Sequence, residues 1–187
     1  MKRLMIFVFV LVTAQLVAQI NPVYISPVKV GNINLQSGKV FYQSTFSGGT
    51  NLRELAEKFK SKEQVYSVFN LNSATSTEIK GTIANFQLNI DKYGVKRKRL
   101  AAFLALAMNA TFYIESVEGK NRVTVSNIWF KNLPGDKNPG NHNIESQVTS
   151  NNASVFLKKK KNLKSITVIE KNLDELFSAA TATGMGF

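Results

Sequence analysis

The side chains of this chain best suited to chemistry are cations that occur in blocks. Lys96, Arg97, Lys98 and Arg99 form one run, Lys158, Lys159, Lys160 and Lys161 a second, and Lys164 follows closely. Four or more clustered cations can dock phosphates, acidic lipid headgroups or acidic glycans, and such binding weakens as salt rises. The competing reading is structural: solvated turn or edge positions whose charge discourages aggregation. Aromatic interleaving of the kind that stacks single-stranded bases is thin, with Tyr93 and Phe103 flanking the first block and Phe156 the second. These nine residues are the candidate site for an anionic partner.

Other chemistries are poorly provided for. The chain has no cysteine, which excludes disulfides, a thiol nucleophile and thiolate metal ligation. His142 is the only histidine, which is read as excluding a catalytic triad and a multi-histidine metal site. It lies in a loop-like stretch with no carboxylate pattern around it. The neighbouring acids Asp174 with Glu175, Glu115 with Glu118, and Glu54 with Glu57 are accounted for by helix capping, turn polarity and a solvated helix face. No catalytic, cofactor-binding or metal residue is assigned, and no cofactor is expected. Phe112, Trp129 and Phe130 are expected in the core rather than on a carbohydrate platform.

The elements that position these residues begin after a leader. Met1-Lys2-Arg3, an apolar run from Leu4 to Val12, and small residues at Ala14 and Ala18 have the layout of a secretory signal peptide, expected over 1–18 with cleavage after Ala14 or Ala18. The expected address is therefore export: periplasmic, surface-associated or secreted, with no membrane span left after cleavage. Lys plus Arg number 24 against 12 Asp plus Glu; without Lys2 and Arg3 the excess is +10. Such an excess favours anionic surfaces over long range.

Residues 19–37, with Pro22 and Pro27, read as an extended lead-in, and 38–133 as the main domain. Val40, Tyr42 and Phe46 share a parity that suits a strand with one buried face. A turn at Gly48-Gly49 leads to a helix capped by Asn51, with Leu52, Leu55, Ala56 and Phe59 at helical spacing. Ser61 with Gln64 resembles a second cap, with helix resuming through Val65, Val68 and Phe69. A half-buried strand is expected over Ile83 to Asp91, and the strongest hairpin over 110–117 and 122–130, turning at 118–121. Val123, Val125 and Trp129 fall on one face of its second strand, and the opposite face becomes apolar at Ile128 and Phe130, so that end should be covered on both sides. The run Leu100 to Met108 is compatible with either helix or buried strand. Residues 134–152, rich in Pro, Gly and Asn, read as a linker. A basic extension over 153–187 follows, with a strand-like Ile166 to Ile169 and a short helix capped by Asn172 with Glu175.

The opening strand Gly38-Lys39-Val40-Phe41-Tyr42, the helix Leu52 to Lys60, the segment Glu78-Ile79-Lys80-Gly81, and the hairpin from Phe112-Tyr113-Ile114-Glu115 to Arg122-Val123-Thr124-Val125-Ser126-Asn127-Ile128 together carry a family likeness. Over about 38–130 the chain resembles domains of unknown function with a TATA-binding-protein-like fold, found in small exported proteins of Gram-negative bacteria. The resemblance implies an α+β fold, an antiparallel sheet with helices packed on one face, and carries over no catalytic residue. A fold named after a DNA-bending protein is no evidence of DNA binding, because function belongs to sites. The expectation for function is an exported, non-enzymatic binding or envelope-associated module. Its partners would be anionic envelope components, acidic glycans or another envelope protein. The rivals are a hydrolase whose carboxylates are distant in the chain, and a binder of extracellular nucleic acid.

Overall fold

The computed structural model describes residues 28–47, 51–61, 66–131, 140–150 and 152–181. The leader, the Gly48-Gly49 turn and the Ser61-Gln64 pair lie wholly or partly outside them. Ten strands and three helices are described: β1 (Val28–Val30), β2 (Ile33–Gln36), β3 (Lys39–Phe46), α1 (Leu52–Lys60), β4 (Phe69–Ala74), β5 (Glu78–Phe86), β6 (Ala107–Val117), β7 (Lys120–Lys131), β8 (Asn141–Asn143), α2 (Ile144–Val148), β9 (Thr149–Ser150), β10 (Val155–Phe156) and α3 (Lys160–Thr181). The main sheet runs β1-β2-β3-β7-β6-β5-β4, with β8 also paired to β7. Every ladder in it is antiparallel. With its helices on one face, the molecule has the expected α+β class.

The β6–β7 hairpin explains the sheet's centre. Its two-residue turn, Glu118-Gly119, has φ of +52° and +73°, the left-handed pair that matches strand twist and that glycine adopts without Cβ strain. From Val117↔Lys120 to Thr111↔Ser126 the strands pair in one register, placing Phe112, Ile114, Val123 and Val125 on the buried face. α1 forms as its cap and spacing require: Asn51 Oδ1 accepts the Arg53 N–H at 3.0 Å, and Leu52, Leu55, Ala56 and Phe59 are buried. Above the sheet, Phe59, Phe69, Phe112 and Phe177 meet as one aromatic cluster, with the Phe59 and Phe69 centroids 4.2 Å apart. Each such side chain taken out of water contributes about 1.5–3 kcal/mol.

Several expectations are corrected. The lead-in of 19–37 contains two strands of the sheet, β1 and β2. Helix does not resume at Val68 and Phe69; a turn at 66–68 delivers Phe69 into β4. The strand placed at Ile83 to Asp91 lies earlier, at β5, and its pairing shifts after Ile83, where Asn85 takes φ +54° and its N–H is held by Asn109 Oδ1 at 3.0 Å. Leu88 and Ile90 are nonetheless buried, because the irregular backbone still runs along the core. Leu100 to Met108 is neither of its two alternatives: a 3-10 turn at Ala102–Ala105 buries Phe103 and Leu104, and β6 starts at Ala107. Trp129 changes face. A bulge in β7, with Asn127 at φ +50°, inserts one residue, so Ile128 and Phe130 join the core and Trp129 is left half-buried on the other side.

The C-terminal third departs furthest from expectation. Residues 140–150 of the expected linker form β8, α2 and β9, and α2 is tied to β3 by the Val40 N–H, which donates to Glu145 Oε1 at 3.1 Å. The tail is a 22-residue helix rather than a strand and a short helix. Asn172 is no cap but a buried mid-helix residue whose Nδ2 donates to the Val168 carbonyl at 2.8 Å. Ile166, Ile169, Leu173, Phe177 and Ala180 follow at helical spacing, and all join the core of the sheet. The basic extension is thus part of the domain, because the sheet's buried face needs a second helix to exclude water.

Candidate anion-binding cleft

Residues 97–99 form a single 3-10 turn anchored by buried Leu100. The next N–H, that of Ala101, donates to Ser165 Oγ at 2.9 Å, while the same hydroxyl donates to the Lys161 carbonyl at 2.8 Å. Ser165 is fully buried, so it rivets the first basic block to the opening turns of α3. On the other flank Asn162 Nδ2 donates to the Gln147 carbonyl at 2.8 Å. Upstream, Asn172 Oδ1 accepts the Asn89 N–H at 2.7 Å, and Glu175 pairs with Lys92 and accepts the Tyr93 hydroxyl at 2.9 Å.

Between the turn and the helix lies an open cleft of about 380 Å³ lined by Lys98, Arg99, Lys160, Lys161 and Lys164. Two blocks some sixty residues apart in sequence therefore converge on one concavity. No carboxylate lines it, and none of its five cations forms an ion pair among the described residues. Clefts beside α1 differ: Arg53 and Lys58 share theirs with Glu54 and Glu57, so charge is compensated locally. Of the nine candidates, five line the cleft. Arg97 is diverted to Asp91, at 2.9 Å, and holds that carboxyl below its usual range, through its hydrogen bond first and its charge second. Lys96, Lys158 and Lys159 are exposed and do not line it. Sequence reasoning missed Ser165 and Asn162, the two residues that fix the walls. Their signal, polar positions on the buried side of a helix, was hidden while the tail read as a strand.

No group of three or more His, Asp or Glu side chains that could hold a metal occurs among the described residues. His142 sits on β8 opposite Phe130. Glu78 and Glu115 face each other across β5 and β6, each with its own cation: Lys80 at 2.9 Å and Arg122 at 2.8 Å. The hydrogen bonds from Lys80 and then Tyr113 hold Glu78 below the ordinary carboxylate range, the reverse of what a general acid requires.

No protein-family model matches the sequence, and no curated protein does. Among solved structures the chain is similar to a DUF4468 family protein from Bacteroides ovatus, with 11% identity, a TM-score of 0.51, and coverage of 83% of this chain and 93% of that one. It is also similar to a TBP-like protein from Parabacteroides distasonis, with 18% identity, a TM-score of 0.49, and coverage of 80% and 97%. At such identities the likeness to the Bacteroides ovatus protein shows a shared fold and nothing about a site. No described helix is long and apolar enough to cross a membrane.

Proposed function

We propose that the protein is an exported, non-enzymatic binding module that docks an anionic partner of the cell envelope in the cleft between the 97–99 turn and the start of α3. The observation that carries this reading is the convergence of Lys98 and Arg99 with Lys160, Lys161 and Lys164 on one concavity with no acidic residue in its lining. Surface cations placed only for solubility would be interspersed with acids or spread apart. Here their fields add, and a bound anion relieves their mutual repulsion.

The test is binding of the leaderless protein to anionic vesicles and to a sulfated glycan over a salt series. Binding is expected at low salt and should fall steeply towards physiological strength, where the Debye length is about 8 Å. Replacing Lys160, Lys161 and Lys164 by Gln should lower both affinity and salt slope. Replacing Lys158 and Lys159, outside the cleft, should do much less. Equal losses from the two sets would mean that overall charge, not the cleft, does the binding. Duplex DNA belongs in the same series, because binding to it above all other anions would favour the nucleic-acid rival.

A further inference from the structure

We infer that the cleft is built for a ligand carrying two or more phosphate groups close together, a refinement that rests on the anion-binding reading above. The first argument is charge density. Five cations line one cleft without a counter-charge. A carboxylate brings a single charge, whereas a phosphate monoester carries about −1.5 to −2 at pH 7, so two of them offset most of the lining's charge and one offsets less than half.

The second argument is the start of α3. The helix opens with Lys160 and Lys161 and has no acidic residue in its first turn. Cations at the positive end of a helix dipole are unfavourable, and the neighbouring α1, by contrast, has Glu54 in its first turn and Lys58 and Lys60 in its last. With an anion seated there the sign reverses: the dipole and the lysines act on the same charge. A local rule broken at a cleft, in a molecule that obeys it elsewhere, is what a ligand site leaves behind.

The third argument is the division of labour in the first block. Arg97 is spent on Asp91, while Arg99 lines the cleft with no carboxylate partner. Its planar fork suits two oxygens of one phosphate, with the lysines acting as point charges around it. Size agrees: at about 380 Å³ the cleft has more room than a single phosphate ion fills. The opening to solvent leaves room for whatever the phosphates are attached to.

The leaderless protein should be titrated calorimetrically with pyrophosphate, and with citrate as a polycarboxylate of comparable charge, at low salt. Pyrophosphate should saturate one site with an affinity about tenfold or more above that of citrate. Arg99→Lys keeps the charge but removes the fork; it should weaken pyrophosphate several-fold and leave citrate nearly unchanged. Lys160→Gln with Lys161→Gln should weaken both, and thermal melts should show both variants folded, since the altered side chains are exposed. Vesicles containing phosphatidate separate the sources of phosphate. Vesicle binding displaced by pyrophosphate identifies a lipid headgroup, and pyrophosphate binding without vesicle binding identifies a soluble compound; both support the inference. Citrate binding as tightly as pyrophosphate, or Arg99→Lys behaving as the parent, overturns it while the broader anion reading stands. No binding of any anion at any salt overturns both.

Discussion

Tyr42 and Trp129 show how far a single side chain's role depends on its surroundings. Tyr42 is fully buried, and its hydroxyl donates to Asp174 Oδ1 at 2.6 Å, an oxygen that also accepts Asn32 Nδ2 at 3.2 Å. Burial, and then the bond to Asp174, push its pKa far above the ordinary tyrosine value. Tyr42→Phe keeps the ring but strips a donor from a partly buried carboxylate, so a loss of about 1.5–3 kcal/mol is expected in urea denaturation, the range for hydrogen bonds to charged groups. Trp129 is the reverse case. With Phe130 facing the core and Trp129 the half-open side, Phe130→Ala should cost about 3–5 kcal/mol and Trp129→Ala clearly less. Equal losses would place Trp129 in the core after all.

At the scale of elements, α3 is held by polar contacts along its length, and two of them are testable. At the β1–β2 turn, Gly31 has φ +61°, and a Cβ there would fall on the Glu170 carboxylate, which accepts the Asn32 N–H at 2.6 Å. Gly31→Ala therefore strains the turn and displaces its anchor; about 1–3 kcal/mol is the expected cost, read from the shift in the urea midpoint. The second concerns pH. Glu175, held low by Lys92 and then Tyr93, joins Glu78 and Asp91 as carboxylates whose pKa is lower folded than unfolded. The unfolded chain then binds more protons, so stability rises with pH through this window. Their contribution is complete above the unfolded values near 4 and is lost as pH falls through the lower folded values. Denaturation midpoints should be flat from pH 7 to 5 and fall by pH 3, shallowly because these pairs are exposed. Partial burial, and then the bond to Glu175, push the Tyr93 hydroxyl up to about 12, so it should remain un-ionised where an ordinary tyrosine titrates.

For the whole molecule, one core serves sheet and helices together. Ile166, Ile169, Leu173 and Phe177 of α3 are fully buried with Phe112 and Val125 of the hairpin. Ending the chain at Leu157 should therefore abolish cooperative folding rather than trim an appendage, leaving no sharp transition by circular dichroism or urea. Retention of the parent's transition would restore the tail to the status of an extension.

What was legible in the sequence was local. The cap and spacing of α1, the β6–β7 hairpin and its turn, the α+β class and the two cationic blocks are written in neighbouring residues, whose periods and dihedral preferences act over a few positions. The tertiary structure alone decided the rest. A one-residue bulge at Asn127 moved Trp129 to the open face, because strand parity propagates every insertion. The apolar positions of α3, interrupted by lysines and asparagines, read as strand or loop until the open side of the sheet supplied a surface that only a long amphipathic helix covers. That same packing, locked by buried Ser165, brought Lys98 and Arg99 against Lys160, Lys161 and Lys164. Charges distant in sequence add into one site only where the backbone juxtaposes them, and that juxtaposition is a property of the core, not of either block.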